Sequence, residues 1–176
     1  MKQYIFVVAL IFVFSNVVGQ DNAKCEKLLK KANRLIDRKK PEVSKALSVY
    51  DKIFEIDPNF AKAYYNRAWL YSNIDKDNLA IKDLNKCIEL LPEDEIEKMA
   101  QAYTNRGSSY IDLGEMDNAL KDLNQAIEID ATVEQAYYNR ARVYFSKNQI
   151  ELACKDLNKA LEEGMNDVLE LKSKCE

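Results

Sequence analysis

Gln101-Ala102-Tyr103-Thr104-Asn105-Arg106-Gly107, followed by Ala119-Leu120-Lys121-Asp122-Leu123-Asn124-Gln125-Ala126-Ile127-Glu128-Ile129, is a sentence this chain writes three times. Thirty-four residues on, it returns as Gln135-Ala136-Tyr137-Tyr138-Asn139-Arg140-Ala141 with Ala153-Cys154-Lys155-Asp156-Leu157-Asn158-Lys159-Ala160. Upstream it reads Lys62-Ala63-Tyr64-Tyr65-Asn66-Arg67-Ala68 with Ala80-Ile81-Lys82-Asp83-Leu84-Asn85-Lys86-Cys87. A fixed period of this length marks a stacked-repeat architecture, in which one copy cannot bury its apolar face alone and its neighbours supply the missing surface.

Composition agrees. The chain has 176 residues, 47% of them apolar and 31% charged, enough for one ordinary core and too apolar for disorder. Three prolines and four glycines leave little material for tight hairpins, whereas good helix formers abound. The fold class is all-α. Leu28, Leu29, Ala32, Leu35 and Ile36 share one face of a first helix, and Pro41 separates it from a second at Val43 to Tyr50. Asp57-Pro58-Asn59 punctuates the next entry, where Asn59 is expected to cap, and Thr132 with Gln135 reads as a capping box before the last full pair. Gly164 reads as a helix stop, with Asn166 or Asp167 capping a short terminal helix through Lys174.

Several positions recur together: Tyr64, Tyr103 and Tyr137; Ala68, Gly107 and Ala141; Tyr71, Tyr110 and Tyr144; Ala80, Ala119 and Ala153; Leu84, Leu123 and Leu157. These residues resemble the tetratricopeptide-repeat family, helix-turn-helix units of about 34 residues. The resemblance covers residues 27 to 167 as repeats 27–60, 61–94, 100–133 and 134–167 of a domain spanning 20–176. It implies a right-handed α-solenoid of antiparallel helix pairs with a capping helix at 168–176. Small residues opposite one another on the two helices of a pair let them cross closely, and the tyrosines and leucines fill the space between pairs.

A second pattern tests the register. Arg67, Arg106 and Arg140 each precede an aspartate by sixteen residues, at Asp83, Asp122 and Asp156. In the first repeat both partners are missing, as Asn33 and Val49. A salt bridge between the helices of each pair is expected, fixing register more than adding net stability.

Two departures stand out. The first repeat has Lys30 where the others have tyrosine and Arg34 where they have alanine or glycine, which marks a degenerate terminal repeat or a looser pair. Five additional residues fall near Glu93 to Met99, since Tyr64 to Tyr103 spans 39 residues and Tyr103 to Tyr137 spans 34. Acidic residues suit a helix start, so the first helix of the third repeat should be longer than its sisters.

The family resemblance also implies a concave groove lined by residues flanking the first-helix tyrosine, where asparagines hold an extended peptide by its backbone. Carried over, these are Asn66, Asn105 and Asn139, with Tyr65, Trp69, Thr104, Ser108, Tyr138 and Arg142 beside them. A carboxamide offers donor and acceptor to a peptide amide, and Trp69 and the tyrosines add apolar area. Ala32 breaks the series in the first repeat. The lysine-rich pattern of a two-carboxylate clamp is absent beyond Lys31 and Lys62.

Residues 1–19 stand apart from this fold. Lys2 supplies a positive start, Ile5 to Phe14 is an apolar run, and Val17-Val18-Gly19 offers a peptidase site, so a signal peptide and a mature chain from Gln20 are expected. Tyr4 to Val18, roughly 22 Å as helix, is short of the roughly 30 Å core of a bilayer, so no stable membrane anchor is expected. The product is read as exported, periplasmic or secreted. The lack of any Asn-X-Ser/Thr acceptor fits a bacterial envelope.

Four cysteines in an exported chain allow three pairings. Cys154 and Cys175 lie ten residues before Gly164 and nine after Asn166, which matches their heights on antiparallel helices to roughly 1.5 Å and favours a bridge closing a loop worth about 3 kcal/mol. Cys87 takes the slot of Ala126 and Ala160 and reads as a small buried residue. Cys25 is left over, free or bonded to another molecule.

Catalytic chemistry is hard to place. The chain has no histidine, which removes the Ser-His-Asp, Cys-His and HExxH arrangements, and four scattered glycines build no phosphate loop. Asp75-Lys76-Asp77-Asn78 opens like a calcium loop but lacks its later glycine and glutamate, and reads as a turn. No enzyme, metal site or cofactor is expected. Without Lys2 the chain keeps 25 basic against 29 acidic residues, a net charge of −4, which disfavours nucleic acid. The basic cluster at Arg34 and Arg38-Lys39-Lys40 reads as a solvated turn. The function expected is an exported scaffold that binds an extended peptide or a partner protein. The alternative is a self-associating structural solenoid, a homo-oligomer joined through Cys25 or the exposed face of the first repeat.

Overall fold

The computed structural model describes residues 2–37 and 39–175, and the side chains among them other than those of 2–18, 169 and 170. The leader expected at residues 1–19 therefore falls, apart from Gly19, on side chains outside the description, as does Arg38 of the basic turn. Eight helices follow one another: α1 (Lys2–Ile36), α2 (Val43–Ile56), α3 (Ala61–Ser72), α4 (Asp77–Leu90), α5 (Ile96–Asp112), α6 (Met116–Ile129), α7 (Glu134–Ser146) and α8 (Ile150–Glu162). A single turn, α9 (Leu169–Lys172), and a 3-10 turn at Ser173–Cys175 end the chain. Among the described residues there is no strand, and no helix is long and apolar enough to cross a membrane. The architecture is an all-α helical solenoid of paired helices. It divides into two compact units, residues 1–66 and 67–176, with the boundary inside α3.

In the N-terminal unit α1 packs on α2. Cys25, Leu29, Ala32, Leu35 and Ile36 of α1 are buried, as are Ala46, Val49, Tyr50 and Ile53 of α2. The ring of Tyr64 stacks on Phe54 with centroids 4.3 Å apart, and its hydroxyl donates to the Pro58 carbonyl at 2.9 Å. Lys30 and Arg34 are exposed, and the small buried residue of α1 is Ala32. Ala32 precedes Ala46 by fourteen residues, whereas Ala68, Gly107 and Ala141 precede Ala80, Ala119 and Ala153 by twelve. The first helix thus runs two residues out of the 34-residue register, and the longer turn at 37–42 absorbs the difference. Extrapolating the period upstream had placed Arg34 at the small position; a polar residue there faces water instead.

The second unit follows the repeat closely. Ala80, Ala119, Ala141 and Ala153 are fully buried and Ala68 nearly so, and Leu84, Leu123 and Leu157 pack between helices. Gly107 is the tightest point, because a Cβ on it would lie 2.9 Å from Leu123 Cγ. α5 has 17 residues against 12 and 13 for its sisters α3 and α7, and the acidic Glu97 stands in its first turn. Each arginine of the series makes a two-pronged bond across its helix pair: Arg67 Nε and Nη2 to Asp83 at 2.7 and 2.8 Å, Arg106 to Asp122 at 2.6 and 2.7 Å, and Arg140 to Asp156 at 2.7 and 2.8 Å. Arg106 Nη1 donates to Asn85 on α4 and Arg140 Nη1 to Asn124 on α6, each at 2.7 Å, so one guanidinium ties its own pair to the preceding one. The aspartate bonds push both guanidinium groups above their ordinary value, against the burial that opposes charge.

The helix punctuation differs from expectation. Thr132 does not cap a helix, since α7 begins after Val133 with no side-chain cap, and α3 begins at Ala61, two residues past Asn59. The aspartate two residues earlier instead holds the turn ahead of each helix: Asp57 Oδ1 accepts from the Asn59 amide at 2.9 Å, and Asp130 Oδ1 accepts from the amide and hydroxyl of Thr132 at 2.9 and 2.7 Å. At the other helix ends, Asp75, Gly114 and Asn148 take positive φ of 55°, 77° and 58°. The next amides, of Lys76, Glu115 and Gln149, reach back to the carbonyls of Tyr71, Tyr110 and Tyr144, which closes each helix with a left-handed stop. Asp75 is therefore a turn residue, and among the described residues no acidic or cysteine cluster could hold a metal.

Cys154 and Cys175 are bridged, with Cα atoms 5.8 Å apart, and the bridge holds the terminal 3-10 turn on α8. The terminal helix is shorter than expected, a single turn before Ser173, because Val168 and Leu171 close over α8 and the bridge then fixes the chain. Cys25 and Cys87 are buried free thiols. Burial pushes Cys87 up to about 11, helped by the nearby charge of Asp83. Cys25 is fully buried, so its sulfur is not presented at the surface of this chain.

Candidate functional site

The residues singled out for the groove meet different fates. In the N-terminal unit Tyr65 and Asn66 are half-buried, and Asn66 Nδ2 donates to Asn33 Oδ1 at 3.2 Å. In the second unit Thr104 lies inside, only 1% exposed, with its hydroxyl donated to the Ala100 carbonyl at 2.8 Å. It has no face to offer a ligand. Asn139 is 2% exposed and its Oδ1 accepts from Gln135 Nε2 at 3.4 Å and Arg142 Nη1 at 3.3 Å. Arg142 also reaches Asp112 Oδ1 at 3.5 Å, which holds its charge against α5. Asn66 and Asn139 are thus each engaged by internal partners.

What the fold does bring together is Trp69, Asn105 and Ser108. They line a cleft of about 190 Å³ with Ala68, Ser72, Asn73, Leu84 and Ser109. The last turn of α3 forms one wall, α5 the other, and Leu84 of α4 the floor. Trp69 is 49% exposed, unusual for so large an apolar ring. None of the eight lining residues carries a charge, so the cleft offers hydroxyl and carboxamide groups beside an indole. Ser72 donates its hydroxyl to Asp77 Oδ1 at 3.2 Å, and Asn73 Nδ2 donates to the Trp69 carbonyl at 2.7 Å, leaving Asn73 Oδ1 to accept. Ser109 is fully buried, and its Oγ has no hydrogen-bond partner among the described residues.

Ser72, Asn73 and Ser109 were not among the residues read from the sequence. A signal for Ser109 existed. In sister repeats the same position holds Leu70 and Val143, both buried and apolar, so a serine there breaks an otherwise apolar series.

Family models of the tetratricopeptide repeat match residues 49–82 and 134–163, and a TPR-repeat model matches 107–147. The chain is a tetratricopeptide-repeat protein. Among solved structures it is similar to the one titled "Crystal structure of MamA", with 28% identity and a TM-score of 0.68 over 92% of this chain and 87% of that one. It is also similar to the first TPR of Spaghetti (RPAP3) bound to the HSP90 peptide SRMEEVD, with 26% identity and a TM-score of 0.57 over 65% of this chain and 89% of that one. MamA 41-end from Desulfovibrio magneticus RS-1, at 19% identity and TM-score 0.68 over 79% of this chain and 75% of that one, shares the fold. No curated protein matches the chain by sequence. The repeats make it a protein–protein interaction scaffold.

Proposed function

We propose that this scaffold is exported and holds an extended segment of a partner protein against the face of the second unit that carries Trp69, Asn105 and Ser108. The single observation that carries the reading is the half-exposed indole of Trp69 beside an uncharged cleft edged by a carboxamide and hydroxyls. That combination suits a peptide chain, which brings an amide to be hydrogen-bonded and side chains to be covered. The Spaghetti (RPAP3) domain, solved with a seven-residue peptide, supports this mode of use for the fold. Export is supported by the apolar run behind Lys2 and by the Cys154–Cys175 bridge, since such bonds persist in oxidising compartments.

Affinity capture from the compartment where the protein resides tests the binding reading. Trp69→Ala combined with Asn105→Ala should cut recovery of the partners at least about fivefold relative to wild type, with the far-UV helix signal retained. Equal recovery would argue that this face is idle. N-terminal sequencing of the native protein tests export: the expected first residue is Gln20, and a chain retaining residues 1–19 in a reducing cytosol would defeat it.

A further inference from the structure

We infer that the cleft between α3 and α5 is a side-chain subsite for a primary amide, a glutamine or asparagine of the bound segment, held between Ser109 Oγ and Asn73 Oδ1. The inference rests on the groove reading and deepens it by naming what the groove selects. Four observations carry it. The Ser109 hydroxyl lines the cleft, is fully buried and has no partner among the described residues, and a hydroxyl left so forfeits a hydrogen bond unless a ligand supplies it. Asn73 gives one N–H to the Trp69 carbonyl, which orients the carboxamide and leaves its Oδ1 as an acceptor. Trp69 stands half-exposed at the rim, where its ring offers apolar area to the stem of an entering side chain. Finally, no lysine, arginine or acid lines the cleft.

The chemistry then sorts the candidates. A primary amide donates its N–H to Asn73 Oδ1 and accepts from the Ser109 hydroxyl, so both cleft groups are satisfied. An ionised carboxylate brings no donor for Asn73 Oδ1 and finds no cation to offset its desolvation. An ammonium group finds no carboxylate. An aliphatic side chain fills the space but leaves the Ser109 hydroxyl unpaired. At about 190 Å³ the cleft takes one side chain and no folded element. Preference for an amide over a carboxylate would set this chain apart from a site built for an acidic peptide.

Trp69 is the only tryptophan in the chain, so its fluorescence reports on the cleft alone. The protein is titrated with the blocked amino acids N-acetyl-glutamine methylamide, N-acetyl-glutamate methylamide and N-acetyl-leucine methylamide at neutral pH. Glutamine should bind about tenfold more tightly than glutamate or leucine, the size of one good hydrogen bond kept or lost. In Ser109→Ala the preference should fall below about threefold while the thermal midpoint holds or rises, because the substitution removes an unpaired buried hydroxyl. A merely structural serine would not move the preference. Equal response to all three compounds, no response to any, or a glutamine preference that survives Ser109→Ala would each overturn the inference. The groove reading fails separately: if partner recovery depends on Trp69 and Asn105 while glutamine is not preferred, the groove stands and the amide subsite falls. If recovery ignores both residues, the groove falls, and the titration still decides the subsite.

Discussion

Gly107 shows how one missing methyl group sets the distance between two helices. Glycine in a helix interior costs about 1 kcal/mol relative to alanine, and the sister positions Ala68 and Ala141 carry alanine without difficulty. At Gly107 the Leu123 Cγ stands where a Cβ would need room, and that atom sits near the backbone instead of at a flexible tip. Gly107→Ala should therefore lose by overpacking, typically 1–3 kcal/mol, more than it gains in propensity, for a net loss of about 1 kcal/mol in chemical denaturation. A stabilised variant would mean that Leu123 shifts freely. Asp75 gives the opposite case. It holds a left-handed backbone, as its register mate Gly114 does at no steric cost, so Asp75→Gly should raise stability by about 0.5–1 kcal/mol.

At the scale of the helices, the entries and the arginine ties carry different information. The period made the Arg–Asp spacing legible, because a charge pair repeated sixteen residues apart in three copies fits helices that cross at one fixed height. The onward bonds to Asn85 and Asn124 were not legible, although the Asp-Leu-Asn triplet that supplies them recurs, because they join neighbouring pairs and depend on how the pairs stack. Helix entries were not legible for a related reason: cap-competent side chains stand near each entry, and whether one reaches the first turn depends on the backbone entry angle; before α7 none does. Asp130 closes the turn before α7, and its bonds from Thr132 hold its carboxyl below the ordinary value. A carboxylate lowered on folding contributes stability above its unfolded value near 3.8, and that contribution is lost as pH falls through the folded value. An NMR titration should place Asp130 below 3.8, and Thr132→Ala should return it toward that value; an unchanged midpoint would assign the shift elsewhere. The first helix was misregistered because a turn lengthened by two residues leaves no trace in a period read from the later repeats. The cleft was half-read: Trp69, Asn105 and Ser108 stood out by position, while Ser109 needed comparison with Leu70 and Val143.

For the whole molecule the four cysteines divide into two populations. Cys25 and Cys87 are buried, and burial raises both thiols, Cys87 to about 11. The neutral Cys87 thiol thus favours the folded state up to about its unfolded value of 9.0, and that contribution fades as pH rises through about 11. A thiol reagent at pH 8 should find no rapidly reacting sulfur in the native protein, two in denaturant, and four after reduction. A fast-reacting native thiol would contradict the burial of Cys25. Reduction, or Cys175→Ser, should release about 3 kcal/mol of loop constraint over the 21-residue separation and speed hydrogen exchange around Val168. Protection around Ala32 and Ala46 should not change.

The bridge has one more consequence. Val168, Leu171 and Cys175 lie over Leu157 and Ala160 of α8, covering the apolar surface on which a further helix pair would otherwise grow. A covalent latch thus keeps this apolar face of α8 covered, and opening it with a reductant should bare the face to solvent.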